Sequence, residues 1–311
     1  VRDPVTLVVG AGGLLGGALV ARLGAAATRV EVPWHDSAAT AVALRAGLAD
    51  LLDRAGDGPW RVMWCAGSGV VGTPAEQMAE ERAVFDRFLA VLAELPPERG
   101  GLFHASSAGG VYAGSESPPY TEDTEPRTIS AYGAVKLQME GAVRRMSHRT
   151  GLPAFVGRIS NLYGPGQKLA KRQGLISLLC GAVVTGVPVP ITVPLATTRD
   201  YLYVGDAAAM IATAMRELSG VVHDGERSVV KVLASGRGTT IAGLLDEVEQ
   251  TLGERPPIIL RESPAGAGQP SDLRMRSVVW TDLDRLAQTP LSVGIRRTFD
   301  DVRLQLQRRS A

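Results

Sequence analysis

Val5–Val9 is a short, apolar, mostly β-branched run that passes directly into Gly10-Ala11-Gly12-Gly13-Leu14-Leu15-Gly16, and an apolar helical pattern continues over 18–23. Such a run reads as a buried strand, and glycines let the backbone turn sharply from strand into helix. This feature constrains the fold more than any other. A helix launched from the end of a buried strand must lie back on a sheet, which points to an α/β layer architecture. The spacing G-x-x-G-x-x-G at Gly10, Gly13 and Gly16 fits a turn that an anion can approach closely. The amides of Leu14 and Leu15 would then face it from the first helical turn. Leu15 stands where the alternative spacing G-x-G-x-x-G would need its last glycine.

The alternation continues along the chain. Strand patterns recur at 30–34, 61–66, 102–105 and Ala154–Ile159, the second ending in Ala66-Gly67-Ser68-Gly69. Between them lie an Ala/Leu-rich helix over 38–54, an amphipathic helix within 74–95 and a helix over 131–149 closed by Gly151 and Pro153. This order predicts a doubly wound parallel sheet over residues 1–162. Beyond Tyr163 prolines cluster at 188–194 and 256–257, and short strands at 201–204, 229–233 and Ile258–Leu260 mix with a helix at Ile241–Leu252. Residues 163–311 are expected to form a smaller α/β lobe, with some segments returning to the main sheet and a surface loop over 262–272.

Composition narrows the function. A formal net charge of +1 with 5% aromatics gives no basic, stacking surface for nucleic acid. Prolines interrupt the apolar run 183–195, and no stretch reaches a membrane span of about 18–20 residues. Cys65 and Cys180 are too few for a disulfide framework or a zinc site, so no metal is expected. They read as buried thiols in a cytoplasmic protein without a secretory signal.

Candidate chemistry lies in two segments. Tyr132-Gly133-Ala134-Val135-Lys136 places a phenol and an ammonium at i and i+4, on one face of a helix. An ammonium and a cationic ring nearby favour loss of the phenol proton, which is what a proton shuttle needs. Upstream, Phe103-His104-Ala105-Ser106-Ser107-Ala108-Gly109 carries hydroxyls to the C-terminal end of a strand, where open α/β sheets bind ligands. Ser107 can there hydrogen-bond a substrate oxygen and aim it at Tyr132.

Together these segments resemble the extended short-chain dehydrogenases/reductases, in particular the nucleotide-sugar epimerases, dehydratases and ketoreductases. Arg158-Ile159-Ser160-Asn161-Leu162-Tyr163-Gly164-Pro165-Gly166 is similar to that family's R-x-x-N-x-Y-G-P segment, and Thr198-Arg199-Asp200-Tyr201-Leu202-Tyr203-Val204 to its R-D-Y/F-x-x-V segment. The resemblance spans nearly the whole chain and implies a Rossmann-type fold. It implies Ser107, Tyr132 and Lys136 as the catalytic set. A nicotinamide dinucleotide would contact Gly10, Gly13, Leu14, Leu15, Gly16, Trp34, His35, Ala66, Gly67, Ile159, Tyr132 and Lys136. A nucleotide sugar would contact Ser107, Ala108, Asn161, Arg199 and Gln269. It also implies a homodimer in which the helices within 74–95 and 131–149 pair as a four-helix bundle.

Departures sharpen the expectation. No carboxylate stands plainly at the tip of the 30–34 strand, while Arg29 and His35 could meet a phosphate and Asp36 could cap the next helix. These residues leave NAD and NADP both open, leaning to NADP. The interval before Arg61 is short for the family's usual extra strand. The position where dehydratases carry an Asp-Glu pair holds Ala108-Gly109, which disfavours dehydration. Gln269-Pro270-Ser271-Asp272 lacks the family's preceding Arg, for which Arg274 or Arg276 could substitute. Epimerisation at a sugar carbon, C4 by the resemblance, ranks first. An NADPH-dependent 4-ketoreductase is the alternative, and a non-catalytic NADP-binding sensor a third.

Overall fold

The computed structural model describes residues 3–171, 173–221, 227–261 and 269–310. In chain order the first half contains β1 (Val5–Val9), α1 (Leu14–Leu23), β2 (Ala27–Arg29), α2 (Ser37–Ala55), β3 (Trp60–Trp64), α3 (Ala75–Leu92), β4 (Leu102–Ser107), α4 (Ala108–Tyr112), α5 (Ala131–Thr150) and β5 (Ala154–Ile159). There follow β6 (Asn161–Tyr163), α6 (Leu175–Thr185), β7 (Val189–Ile191), β8 (Thr198–Tyr203), α7 (Val204–Val221) and β9 (Ser228–Leu233). The chain ends with β10 (Gly238–Thr240), α8 (Ile241–Leu252), β11 (Ile258–Leu260), β12 (Asp272–Leu273) and α9 (Leu291–Ser310).

A six-stranded sheet in the order β2-β1-β3-β4-β5-β9, parallel throughout, forms the centre. Its strands are apolar on both faces because both are covered by helices. On one face α2, α3 and α5 bury Leu44, Leu48, Phe85, Phe88, Met139 and Val143 against β1, β3 and β4. On the other, α1 and α7 bury Leu15, Leu19, Met210 and Ile211. From β1 the chain moves outward to β2, but from β3 it moves the opposite way to β4. That reversal opens a crevice beyond the carboxyl ends of β1 and β3, the place where such sheets take ligands. A second cluster of sheet and helices follows. β6, β10 and β12 all pair with β8, β7 pairs with β11, and α6, α8 and α9 share a core around Leu179, Leu244 and Ile295.

The second strand is shifted from its expected place at 30–34 to Ala27–Arg29. β1 ends at Val9, so an edge strand in register with it finds no partner past Val8 opposite Arg29. Val30 and Val32 still pack on the core. Only α2 lies between β2 and β3, so β2 is an edge of the sheet. Asp206 lies inside the first turn of α7 and accepts from the Thr289 amide and hydroxyl at 2.8 and 2.7 Å. Cys65 is half-buried rather than buried, while Cys180 is fully so. Of the expected loop over 262–272, residues 262–268 lie outside the described residues, and Asp272 opens β12. Among the described residues no helix is long and apolar enough to cross a membrane.

Candidate active site

The glycine turn is built by contact. Gly10 has φ +88°, and a β-carbon there would meet Ala66 N at 2.7 Å. A β-carbon at Gly16 would run into the Gly10 carbonyl. Gly13 bonds that carbonyl through its amide at 2.9 Å and forms the N-cap of α1 without a side-chain cap. The first-turn amides of α1, Leu14 and Leu15 among them, therefore have no side chain in front of them. A close, uncapped helix start of this kind fits a pyrophosphate. From the second lobe Lys168 reaches over this turn, its Nζ 3.5 Å from where a β-carbon of Gly12 would stand.

Next to the turn, the β1–β2 ladder ends with Val8 opposite Arg29, and Glu31 follows two residues past the end of β2. Glu31 is exposed and follows Gly10 at the distance of about 20 residues typical of a ribose-reading acid. Trp34 is 49% exposed and meets the edge of Trp64 at 6.2 Å between centroids. His35 is exposed. Asp36 is committed to capping α2, accepting from Ala38 and Ala39 at 2.9 and 3.0 Å.

Ser107, Tyr132 and Lys136 come together from two elements. Ser107 ends β4 and caps α4, its Oγ accepting from Gly110 N at 3.1 Å. Ser130 likewise caps α5 through Gly133 N, fixing where the helix begins and so where Tyr132 stands. A β-carbon at Gly110 would lie 2.8 Å from Tyr132 Cε1 and 3.3 Å from Ser107 Oγ, and one at Gly69 3.4 Å from Tyr132 Cδ2. The phenol ring thus slots between two glycines, beside the serine. Lys136 Nζ lies 5.6 Å from the ring centroid. It also pairs with Glu81 Oε1 on α3 at 2.9 Å, and Glu81 Oε2 accepts from the Ser68 and Gly69 amides.

Beneath this layer a buried network ties the same elements together. Ser106 donates to Glu140 Oε1 at 2.5 Å, Arg158 forks onto Glu140, and Arg158 Nη1 donates to the Tyr112 hydroxyl at 2.6 Å. Ile159 and Leu15 are buried, and Ala108 is wholly enclosed with Val111, Tyr112 and Leu273. Ala108 therefore offers no side-chain surface to a ligand, a correction to its expected substrate contact.

On the substrate side, Arg199 Nη2 donates to Gln269 Oε1 at 3.3 Å and Nη1 to the Thr198 and Pro270 carbonyls, bringing the two predicted residues together. Burial lowers the Arg199 pKa, and no carboxylate bridges it among the described residues. Asp200 instead accepts from Ser160, Ser235 and Arg237. Asn161 donates to the Asp200 carbonyl at 3.0 Å, on the strand next to Arg199. Arg274 is engaged by Asp272 at 2.8 Å. No group of three His, Cys, Asp or Glu converges as a metal site among the described residues.

Residues 6–229 match the model of the "NAD dependent epimerase/dehydratase family". The chain belongs to the NAD-dependent epimerase/dehydratase family. Among curated members, a dTDP-4-dehydro-6-deoxyglucose reductase of Escherichia coli is 26% identical over 154 residues, covering 50% of this chain and 46% of the reductase. The chain thus spans about half the length of that relative. Among solved structures, UDP-glucuronic acid 4-epimerase of Bacillus cereus, with NAD, superposes with TM-score 0.77 at 17% identity over 96% of this chain and 99% of its own. RMD of Pseudomonas aeruginosa, with NADPH, gives 0.74 at 20% identity over 98% and 99%. At these identities the structures establish the shared Rossmann-type fold.

Two charged residues beside these candidates had no signal in the sequence. Glu81 and Lys168 each arrive from a distant element.

Proposed function

We propose that the protein is a nucleotide-sugar epimerase that interconverts a sugar carbinol, at C4 by family likeness, using NAD. The observation that carries this is the placement of Ser107, Tyr132 and Lys136 around one point beside the uncapped start of α1. The chemistry a bound nicotinamide would supply is reversible hydride acceptance from the sugar carbon. Gly10, Gly13, Leu14, Leu15 and Gly16 would hold its pyrophosphate, Ala66 and Gly67 its flank, and Lys136 its ribose.

Tyr132 Oη takes the proton from the sugar hydroxyl as the carbonyl forms, and gives it back on reduction. Ser107 Oγ hydrogen-bonds the same oxygen and orients it. Arg199, buried and without a salt-bridged carboxylate among the described residues, with Asp272 acting on it only at longer range, would take the diphosphate, whose charge offsets its desolvation. Asn161 and Gln269 flank that position. Glu31 at the strand tip favours NAD, whose ribose keeps a free 2′-hydroxyl, over NADP, whose 2′-phosphate it would repel. This moves our reading from the NADP leaning that the sequence suggested. Helices α3 and α5 pack side by side, and we take them as the pair that joins a homodimer.

A 4-ketoreductase using NADPH is the second reading, supported by the likeness to the E. coli reductase. A cofactor-binding sensor would have no need of the Ser107, Tyr132 and Lys136 grouping. Mass spectrometry of small molecules released from the denatured protein separates these. Stoichiometric NAD supports epimerisation, because a cofactor that is restored each cycle need not leave. Tyr132→Phe is expected to abolish interconversion of UDP- or dTDP-sugars while NAD binding persists; unchanged turnover would remove the mechanism.

A further inference from the structure

Glu81 stands where the cofactor flank and the catalytic helix meet. Its Oε1 is 2.9 Å from Lys136 Nζ, and its Oε2 accepts from the amides of Ser68 and Gly69 at 3.0 and 3.2 Å. The side chains of Lys136 and Glu81 are 7% and 14% exposed, so water and salt screen the pair only weakly. Helix α3 holds the carboxylate rigidly, with Met78 and Phe85 fully buried on either side of it along the helix. The ion pair fills its space. A β-carbon at Gly67, whose φ is +157°, would meet Glu81 Oε1 at 2.9 Å and Lys136 Nζ at 3.1 Å.

The other charges nearby are accounted for. On α5, Tyr132 lies one turn before Lys136, and Glu140, one turn after, is matched by Arg158. On β4, His104 is kept neutral by burial and by the Lys136 cation. The loop after β3 supplies only amides. Glu81 is therefore the carboxylate that sets the net charge beside the phenol.

We infer that Glu81 is a positioning residue for the proton transfer. It joins the Lys136 ammonium and the 68–69 amides into one rigid unit, and its negative charge opposes the charge that builds on Tyr132 as the proton leaves. The inference rests on Tyr132 being the proton-transfer group.

Its test is the ultraviolet titration of the Tyr132 phenol, with and without NAD. Each protein is subtracted from its own Tyr132→Phe counterpart, so the other tyrosines cancel. Glu81→Gln keeps the shape and removes the charge, and should move the titration to lower pH. Glu81→Met, equally long and unable to hydrogen-bond, should move it the same way, so either variant suffices if the other fails to fold. In turnover assays the limb of the pH–rate profile belonging to Tyr132 should move with it. A Tyr132 titration that stays at the wild-type pH in both variants overturns the inference. Turnover surviving Tyr132→Phe overturns the functional reading instead, which is a separate result.

Discussion

Glu140 Oε2 and Arg158 Nη2 meet at 2.7 Å with side chains 5% and 8% exposed, directly beneath the Ser107–Tyr132 layer. Burial works against the Arg158 charge, but the bonds from Glu140 and Tyr112 outweigh it and hold its pKa above the ordinary value. Removing one partner leaves the other charged and unpaired in the core. Glu140→Ala should lower stability by about 3–5 kcal/mol in urea unfolding. The paired change Glu140→Met with Arg158→Met should cost much less. A loss below 1 kcal/mol for Glu140→Ala would mean that water reaches Arg158.

Glu31 is exposed, follows β2 directly and stands about 20 residues after Gly10, the spacing of a ribose-reading acid. Glu31→Ala should reduce the preference for NAD over NADP about tenfold or more, measured as the ratio of the two dissociation constants by fluorescence titration. An unchanged ratio would put the ribose elsewhere and return Arg29 and His35 to consideration.

Lys168 extends from the second lobe to the glycine turn and is exposed to solvent. One ammonium at a partly wet phosphate contributes on the order of 1 kcal/mol, so Lys168→Ala should weaken dinucleotide binding about fivefold. The difference should shrink as salt rises. A deficit that is insensitive to salt would point to a packing role for the loop.

His104 is wholly buried, packs at a tilt against Phe85 with ring centroids 4.7 Å apart, and has no hydrogen-bond partner on either nitrogen among the described residues. Burial, and then the Lys136 cation, hold its pKa well below the ordinary 6.5. The folded chain therefore keeps it neutral, while the unfolded chain takes up a proton below 6.5. Stability is unaffected by this group above that pH and falls below it, by about 1.4 kcal/mol per pH unit. His104→Phe should flatten that part of the stability–pH curve between pH 6 and 5. An unchanged slope there would assign the acid loss to other groups.

Wherever neighbours along the chain carry the chemistry, the sequence was readable. The strand–glycine–helix passage at Gly10 to Gly16, the i, i+4 pair Tyr132 and Lys136, and the hydroxyl at the end of β4 depend on backbone geometry within a few residues. The edge strand misled for a local reason. Val30 and Val32 carry the β-branched pattern, but β1 has already turned away at Gly10, leaving only Ala27–Arg29 a partner. Asp206 shows the same limit, since nothing local to it announces Thr289, which it meets 83 residues later.

By itself, then, the sequence determined the α/β alternation, the glycine turn and the candidate grouping of Tyr132 with Lys136, because spacing along a helix or strand converts directly into shared faces. Only the tertiary structure decided which charges surround that group. Glu81 is 55 residues from Lys136, and Lys168 reaches the glycine turn from a distant segment of the chain. Their placement follows from strand register and from how α3 and the second lobe pack, and those are set by burial summed over the whole core rather than by any local pattern.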